Sequence, residues 1–206
     1  MSPRTPPAAP GCDFSVKPVL TGEKALLRPF SEDDVPVMAE ILADPEVLRL
    51  TGSPVTDFDP ERLHAWYATR SEQDDRLDLG VADRASGELV GEAVLMEWDE
   101  PNRSCTFRIL LGPRGRDRGL GTDATRLIVG YAFERLRMHR VALWVFAFNP
   151  RARRAYENAG FVAEGVERET LLHEGEWIDA VRMSVLSREW AAHRGRPAGP
   201  RTLPAD

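Results

Sequence analysis

RSCTFRILLGPRGRDRGLGTDATRLIVGYAFERLRMHRVALWVFAFNPRARRAYENAGF, residues 103–161, decides the architecture. Residues 103–111 read as a strand, and a glycine- and arginine-rich turn follows. Residues 122–138 then carry Ala124, Leu127, Ile128, Tyr131, Ala132 and Leu136 at helical spacing, which predicts an amphipathic helix. Residues 140–148 are β-rich and nearly all apolar, as a strand buried on both faces would be. A second helix, Pro150 to Ala159, is stopped by Gly160. Strand, helix and strand in that order require a parallel crossover, because a hairpin cannot join strands that run the same way.

Upstream, residues 76–82 and 89–98 are strand-like and join 103–111 in an antiparallel meander, with turns at Ala85–Gly87 and Asp99–Asn102. Before them stands a short strand, Lys24 to Phe30. Ser31 with Asp34 three residues later is a near relative of the capping box, and opens a helix through Val35, Met38, Ile41 and Leu42 to Asp44-Pro45. Asp59-Pro60-Glu61 starts another, carrying Leu63, Trp66 and Tyr67 to about Ser71. Downstream, strands at about 161–170 and 177–186 flank His173–Glu176. The order β-α-α-β-β-β-α-β-α-β-β predicts an α/β sandwich: a mixed, mostly antiparallel sheet flanked by helices. Residues 1–12 and 191–206, rich in Pro, Gly, Ala and Arg, are expected to be mobile tails around one domain, 13–190.

A hydrophobic fraction of 42% over 206 residues suffices for one sizeable core. The net charge of -6 argues against a broad nucleic-acid surface. Cys12 falls in a tail and Cys105 in a buried strand, so no disulfide is expected. The first ten residues contain no apolar signal core, and no run approaches the roughly 20 apolar residues of a membrane helix. A soluble, cytoplasmic protein with no membrane partner is expected. His64, His139, His173 and His193 are scattered without metal-ligand spacing, so no metal is implied.

The turn from Leu111 to Thr122 (LGPRGRDRGLGT) has glycines that allow a tight turn with exposed N–H groups, and the helix after it adds unpaired N–H donors and a partial positive charge. Arg114, Arg116 and Arg118 add formal charge, so a diphosphate would fit. Three readings compete: a solvated connection, a dinucleotide fold and a coenzyme A site. Gly119-Leu-Gly121-Thr-Asp-Ala124 satisfies G-x-G-x-x-A, but the next strand ends in Ala147-Phe148-Asn149, without the carboxylate a dinucleotide ribose needs. No Gly-Lys-Ser/Thr of a nucleotide P-loop is present.

Arg116-Asp-Arg-Gly119-Leu-Gly121 resembles the R/Q-x-x-G-x-G/A motif of the GNAT superfamily of N-acetyltransferases, with Pro113 where many members carry it. Asn149 to Phe161 (NPRARRAYENAGF) is similar to the family's N-x-x-A/S-x-x-x-Y-E-x-x-G-F signature. Gly175–Leu186 and Leu26–Asp34 resemble the closing and opening segments of the RimJ/RimL branch, which includes ribosomal-protein N-terminal acetyltransferases. The likeness covers about residues 20–190.

The resemblance implies a splayed parallel strand pair and acetyl-CoA as co-substrate. The edge Ile109, Leu110 and Leu111 would pair with the pantetheine arm. Arg116, Asp117, Arg118, Gly119, Leu120 and Gly121, with Thr122, would hold the phosphates. Asn149 would hydrogen-bond the pantetheine, and Arg154 would reach a CoA phosphate. Tyr156 would be the general acid that protonates the leaving thiolate. On its own, Tyr156 also fits the apolar stripe of Ala152, Ala155 and Ala159 as a core residue.

Many relatives carry a glutamate on the strand before the motif, which would deprotonate the amine. That position is Thr106 here, so the base is left open among Glu92, Glu97, Asp99, Glu174 and a water chain. Trp66, Tyr67 and Trp98 could wall an acceptor pocket or simply pack, and Arg103 and Arg108 could pair with Asp99-Glu100 or simply be solvated. The implied acceptor is an amine, either a protein N-terminus or a small molecule such as a polyamine or aminoglycoside-type antibiotic. The resemblance also admits a homodimer. A CoA-binding module without turnover is the alternative.

Overall fold

The computed structural model describes residues 13–52 and 59–193. Its strands are β1 (Leu20–Thr21), β2 (Ala25–Arg28), β3 (Leu77–Asp83), β4 (Leu89–Asp99), β5 (Ser104–Leu111), β6 (Arg140–Phe146), β7 (Val162–His173) and β8 (Glu176–Leu186). Its helices are α1 (Val35–Ala43), α2 (Pro45–Thr51), α3 (Pro60–Ala68), α4 (Leu120–Glu134), α5 (Pro150–Asn158) and α6 (Ser187–His193). The strands form one sheet in the order β1-β2-β3-β4-β5-β6-β8-β7. Every neighbouring pair is antiparallel except β5 and β6, which the α4 crossover makes parallel.

That parallel ladder is short. Ser104 pairs with Arg140, Cys105 with Val141 and Thr106 with Ala142, and there it stops. Beyond Thr106, β5 keeps its bonds to β4 as far as Leu111, and β6 keeps its bonds to β8 as far as Phe146. The strands therefore diverge into a fork.

Strand alternation sends side chains to two cores. Leu27, Leu79, Leu95, Phe107 and Leu143 pack with Ala124, Ile128 and Ala132 of α4 on one face. Phe30, Leu89 and Leu110 pack with Met38 and Ile41 of α1 and Leu63 and Tyr67 of α3 on the other. The expected caps are present: Asp34 accepts from the Ser31 N–H at 2.8 Å, and Asp59 from the Glu61 N–H at 2.9 Å.

Several boundaries differ from the sequence expectations for local reasons. Asp44-Pro45 ends one helix but also begins α2, because the Asp44 carboxylate accepts from the Val47 N–H at 2.9 Å with Pro45 at the first position. Helix α4 spans 120–134 rather than 122–138, yet Leu136 and Met138 stay buried, so the apolar pattern outlasts the helix. Helix α6, Ser187–His193, follows β8, and its Trp190 packs on Phe133 with ring centroids 6.1 Å apart. Residues 1–12 and 194–206, which hold most of the two expected tails, lie outside the described residues.

Candidate active site

The turn between β5 and α4 is held from several sides. Gly119 is the N-cap of α4 at φ 82, the left-handed region that favours glycine. Asp117 shares that region at φ 59. The first helical bond of α4 runs from the Asp123 N–H to the Gly119 carbonyl at 3.1 Å, so the amides of Leu120, Gly121 and Thr122 have no carbonyl one turn back. The Asp123 carboxylate accepts from the Lys24 and Ala25 amides at 2.8 and 2.9 Å, which ties this first turn to β2.

The three arginines of the turn are each engaged by carboxylates. Arg116 donates to the Leu111 carbonyl at 2.9 Å, to Asp44 at 2.8 Å and to Glu46 at 2.5 Å. Its guanidinium thus clasps the end of β5 to the α1–α2 junction. Arg118 pairs with Asp83 of β3 at 2.5 Å, and Arg114 lies between Glu40 and Glu88 at 3.6 and 3.5 Å. Carboxylates pair with all three side chains, and the backbone donors of the turn have no such partners.

A cavity of about 740 Å³ occupies the fork. Ile109, Leu110 and Leu111 line it from β5, and Arg116, Asp117 and Gly119 from the turn. Gly121 and Thr122 line it from α4, and Asn149, Arg154 and Tyr156 from the β6–α5 side. Arg118 and Leu120 are not among its walls: Arg118 is turned to Asp83, and Leu120 is 1% exposed in the core. Asn149 caps α5, its side-chain oxygen accepting from the Ala152 N–H at 3.0 Å. Arg151 is a wall residue the sequence reading missed; it bridges Glu46 at 3.2 Å and Asp117 at 3.1 Å. Its only advance signal was its place in the first turn of α5, facing the motif.

Tyr156 sits deep in this cavity and is 8% exposed. Phe107 meets its ring edge-on at 6.2 Å, and Phe161 lies at 6.0 Å. Burial pushes the phenol up to about 12, so it keeps its proton at neutral pH.

Of the four carboxylates considered as bases, Glu97 alone lines the cavity. Glu92 is buried beneath α3, takes hydrogen bonds from Tyr67 at 3.0 Å and Arg108 at 2.7 Å, and is raised by its burial. Asp99 accepts from Asn102 in its turn, and Glu174 occupies the β7–β8 turn at φ 50. Arg108 therefore pairs with Glu92 rather than with the Asp99-Glu100 turn. The candidate acceptor wall of Trp66, Tyr67 and Trp98 lies elsewhere: Trp66 is covered by Arg70, Tyr67 bonds Glu92, and Trp98 packs on Phe14.

Residues 24–162 match the sequence model of a family described as acetyltransferase (GNAT) domain. The chain belongs to the GNAT family. This GNAT chain is 31% identical over 110 residues to a spermidine N(1)-acetyltransferase of Vibrio cholerae, an alignment covering 53% of it and 64% of that protein. It is 33% identical over 108 residues to a putative ribosomal N-acetyltransferase, YdaF, of Bacillus subtilis, covering 52% of it and 59% of YdaF. In these two alignments the chain spans less than two thirds of the relative's length. Among solved structures, spermidine N-acetyltransferase from Vibrio cholerae in complex with CoA and spermine superposes with a TM-score of 0.74 at 23% identity, covering 81% of this chain and 98% of that one. That likeness speaks to the fold alone.

The donors on hand suit a coenzyme A thioester. Beyond Thr106 the β5 edge faces the fork instead of β6, and the uncapped amides of α4 stand at its end. Among the described residues no three His, Cys, Asp or Glu side chains cluster to hold a metal, and no helix is long and apolar enough to cross a membrane.

Proposed function

We propose that this GNAT chain transfers an acetyl group from acetyl-CoA to the primary amine of a small molecule, with Tyr156 as the proton donor. The observation that carries the reading is the fork between β5 and β6, which opens at Thr106 and ends at the uncapped amides of α4. The edge from Ile109 to Leu111 would bind the pantetheine arm, and the amides of Leu120, Gly121 and Thr122 the diphosphate. Asn149 and Arg154, on the opposite wall, would hold the arm and a phosphate. Arg116 and Arg118 contribute by fixing the turn, through the carboxylates that engage them. Tyr156, packed against Phe107 and Phe161 and protonated, would give its proton to the departing sulfur, a thiolate whose own pKa is about 8.5. The resulting transfer is uphill, and burial of the departing sulfur against the same wall, which would raise its pKa as it raises the phenol's, narrows the gap.

A small amine is favoured because relatives named as spermidine acetyltransferases recur, including one from Escherichia coli aligned over 83% of this chain at 25% identity. A second reading, acetylation of a protein N-terminus as in the RimJ/RimL branch, is supported by the likeness to the putative ribosomal enzyme YdaF. CoA release should be measured with spermidine, amino acids, an aminoglycoside and short peptides bearing free N-termini. Release with a small amine at a higher kcat/KM than with any peptide supports the proposal. Peptide-only turnover favours the second reading, and acetyl-CoA binding without turnover of any amine leaves a binding module.

A further inference from the structure

We propose that Glu97 is the carboxylate that binds the incoming ammonium and takes its proton, filling from β4 the role that Thr106 leaves empty on β5. This inference rests on the acetyltransferase reading and deepens it. Three observations bring the side chain to the place. The first is a bulge. Met96 pairs with Thr106 and Asp99 with Ser104, so Glu97 and Trp98 together stand opposite Cys105. The extra residue is Glu97, at φ 57.

The second is what the bulge does to the faces. Leu95 and Phe107 belong to the core under α4, and Met96 and Thr106 form the next register pair, facing away from it. Regular alternation would return Glu97 to the α4 side and put Trp98 opposite. Instead Trp98 packs against the α4 core, edge-on to Phe14, and the Glu97 carboxylate accepts from the Thr106 hydroxyl at 2.7 Å. The bulge has re-aimed both side chains, a recurrent use of bulges beside active sites. A non-glycine residue in the left-handed region is an outlier that the surroundings must impose, and such outliers concentrate at functional sites.

The third is position. Thr106 is the last residue of β5 paired to β6, so the carboxylate it holds stands at the apex of the fork. Tyr156 touches Phe107, the next residue, whose side chain leaves the opposite face of the sheet. Glu97 and Tyr156 both line the one cavity, which therefore connects the two faces. Among the described residues no Arg, Lys or His pairs with Glu97. Arg108, two residues along the same face of β5, is taken by Glu92. Glu97 thus presents an unneutralised carboxylate where a cationic acceptor must arrive.

The chemistry balances. The ammonium gives one proton to Glu97, and the freed nitrogen lone pair forms the N–C bond to the acyl carbon. The C–S bond breaks with its electrons on sulfur, and sulfur takes the Tyr156 proton. The second N–H proton, acidified once the N–C bond exists, restores Tyr156 by way of solvent, and Glu97 releases its proton to water. One proton is freed per acetyl group transferred, and one remains on the CoA thiol.

The test is Glu97→Gln in the full-length chain, assayed for CoA release with amines of graded basicity and for CoA affinity by calorimetry. For an alkylamine, kcat/KM should fall about a hundredfold or more. For an acceptor with a pKa below about 7, which is already unprotonated, the deficit should shrink to a few-fold, and CoA affinity should not change. Adding Thr106→Glu to Glu97→Gln, which moves the carboxylate back to β5, should recover part of the rate. Glu97→Asp, the milder change, should retain more activity than Glu97→Gln if the double variant does not fold. A Glu97→Gln protein within threefold of wild type on every amine overturns the inference, as does a deficit that is the same for basic and weakly basic acceptors. A wild-type chain that turns over no amine instead defeats the acetyltransferase reading itself.

Discussion

Replacing Arg116 with alanine probes the clasp at the start of the coenzyme turn. The guanidinium is 9% exposed and joins the end of β5, the α1–α2 junction and the turn through Leu111, Asp44 and Glu46. Removing one member of a fully buried ion pair costs about 3–5 kcal/mol, because the partner is left charged without compensation. Asp44 is 21% and Glu46 42% exposed, so water solvates much of what Arg116 leaves behind. About 2–3 kcal/mol remains, roughly 1 of it from the bond to the Leu111 carbonyl. In a domain of this size that is a fall in Tm of about 4–12 °C. Thermal melts should show this loss without any ligand, and calorimetry should show weaker CoA binding whose salt dependence matches wild type. Suppose instead that Arg116→Ala melts within about 1 °C of wild type and binds CoA with a shallower salt dependence. The guanidinium would then be a phosphate ligand, and the clasp would be wrong.

Tyr156→Phe keeps the ring and its contacts with Phe107 and Phe161, so it should lower kcat by about 10²–10³ with CoA affinity intact; an unchanged kcat removes Tyr156 from proton transfer. Burial raises this phenol from 10.0 to about 12, so the fold holds its proton more tightly than the unfolded chain does. That contribution is fully present below pH 10 and is lost as pH rises through about 12, amounting to ~2.7 kcal/mol. Denaturant titrations across that window should show a shallower decline for Tyr156→Phe than for wild type. Gly119→Val imposes a branched side chain at φ 82, a backbone conformation it cannot hold without strain, so the turn must move, while the flexible Lys24 end 2.9 Å from the new Cβ can swing aside; CoA affinity should fall more than about tenfold, and an unaltered affinity counts against the helix-terminus site.

The crossover, the meander and the two closing strands were legible in the sequence because each has its own periodicity and its own punctuation, as at Asp99–Asn102 or Gly160. The roles of the turn's arginines were not. Arg116 and Arg118 look alike as letters, and only the packing of Asp44, Glu46 and Asp83 against them shows that they are already paired. Those partners lie 35 to 72 residues away, beyond the reach of any local pattern. Glu97 stood among four candidate carboxylates and was not singled out, for a related reason. In a strand read by alternation it belongs to one face, and a single added residue sends it to the other. Helix α2 is not legible in the sequence because Asp-Pro reads as a stop, although the same pair both ends α1 and caps its successor.

Among the described residues, the β5–β6 ladder that joins the five-stranded portion of the sheet to the remaining three strands is three residue pairs long. Any molecule that lies along the free margin of β5 and also touches β6 or α5 adds cross-links between two portions that otherwise share few of them. The melting point of this chain should consequently climb with the logarithm of ligand concentration, and amide exchange along 107–111 should slow most.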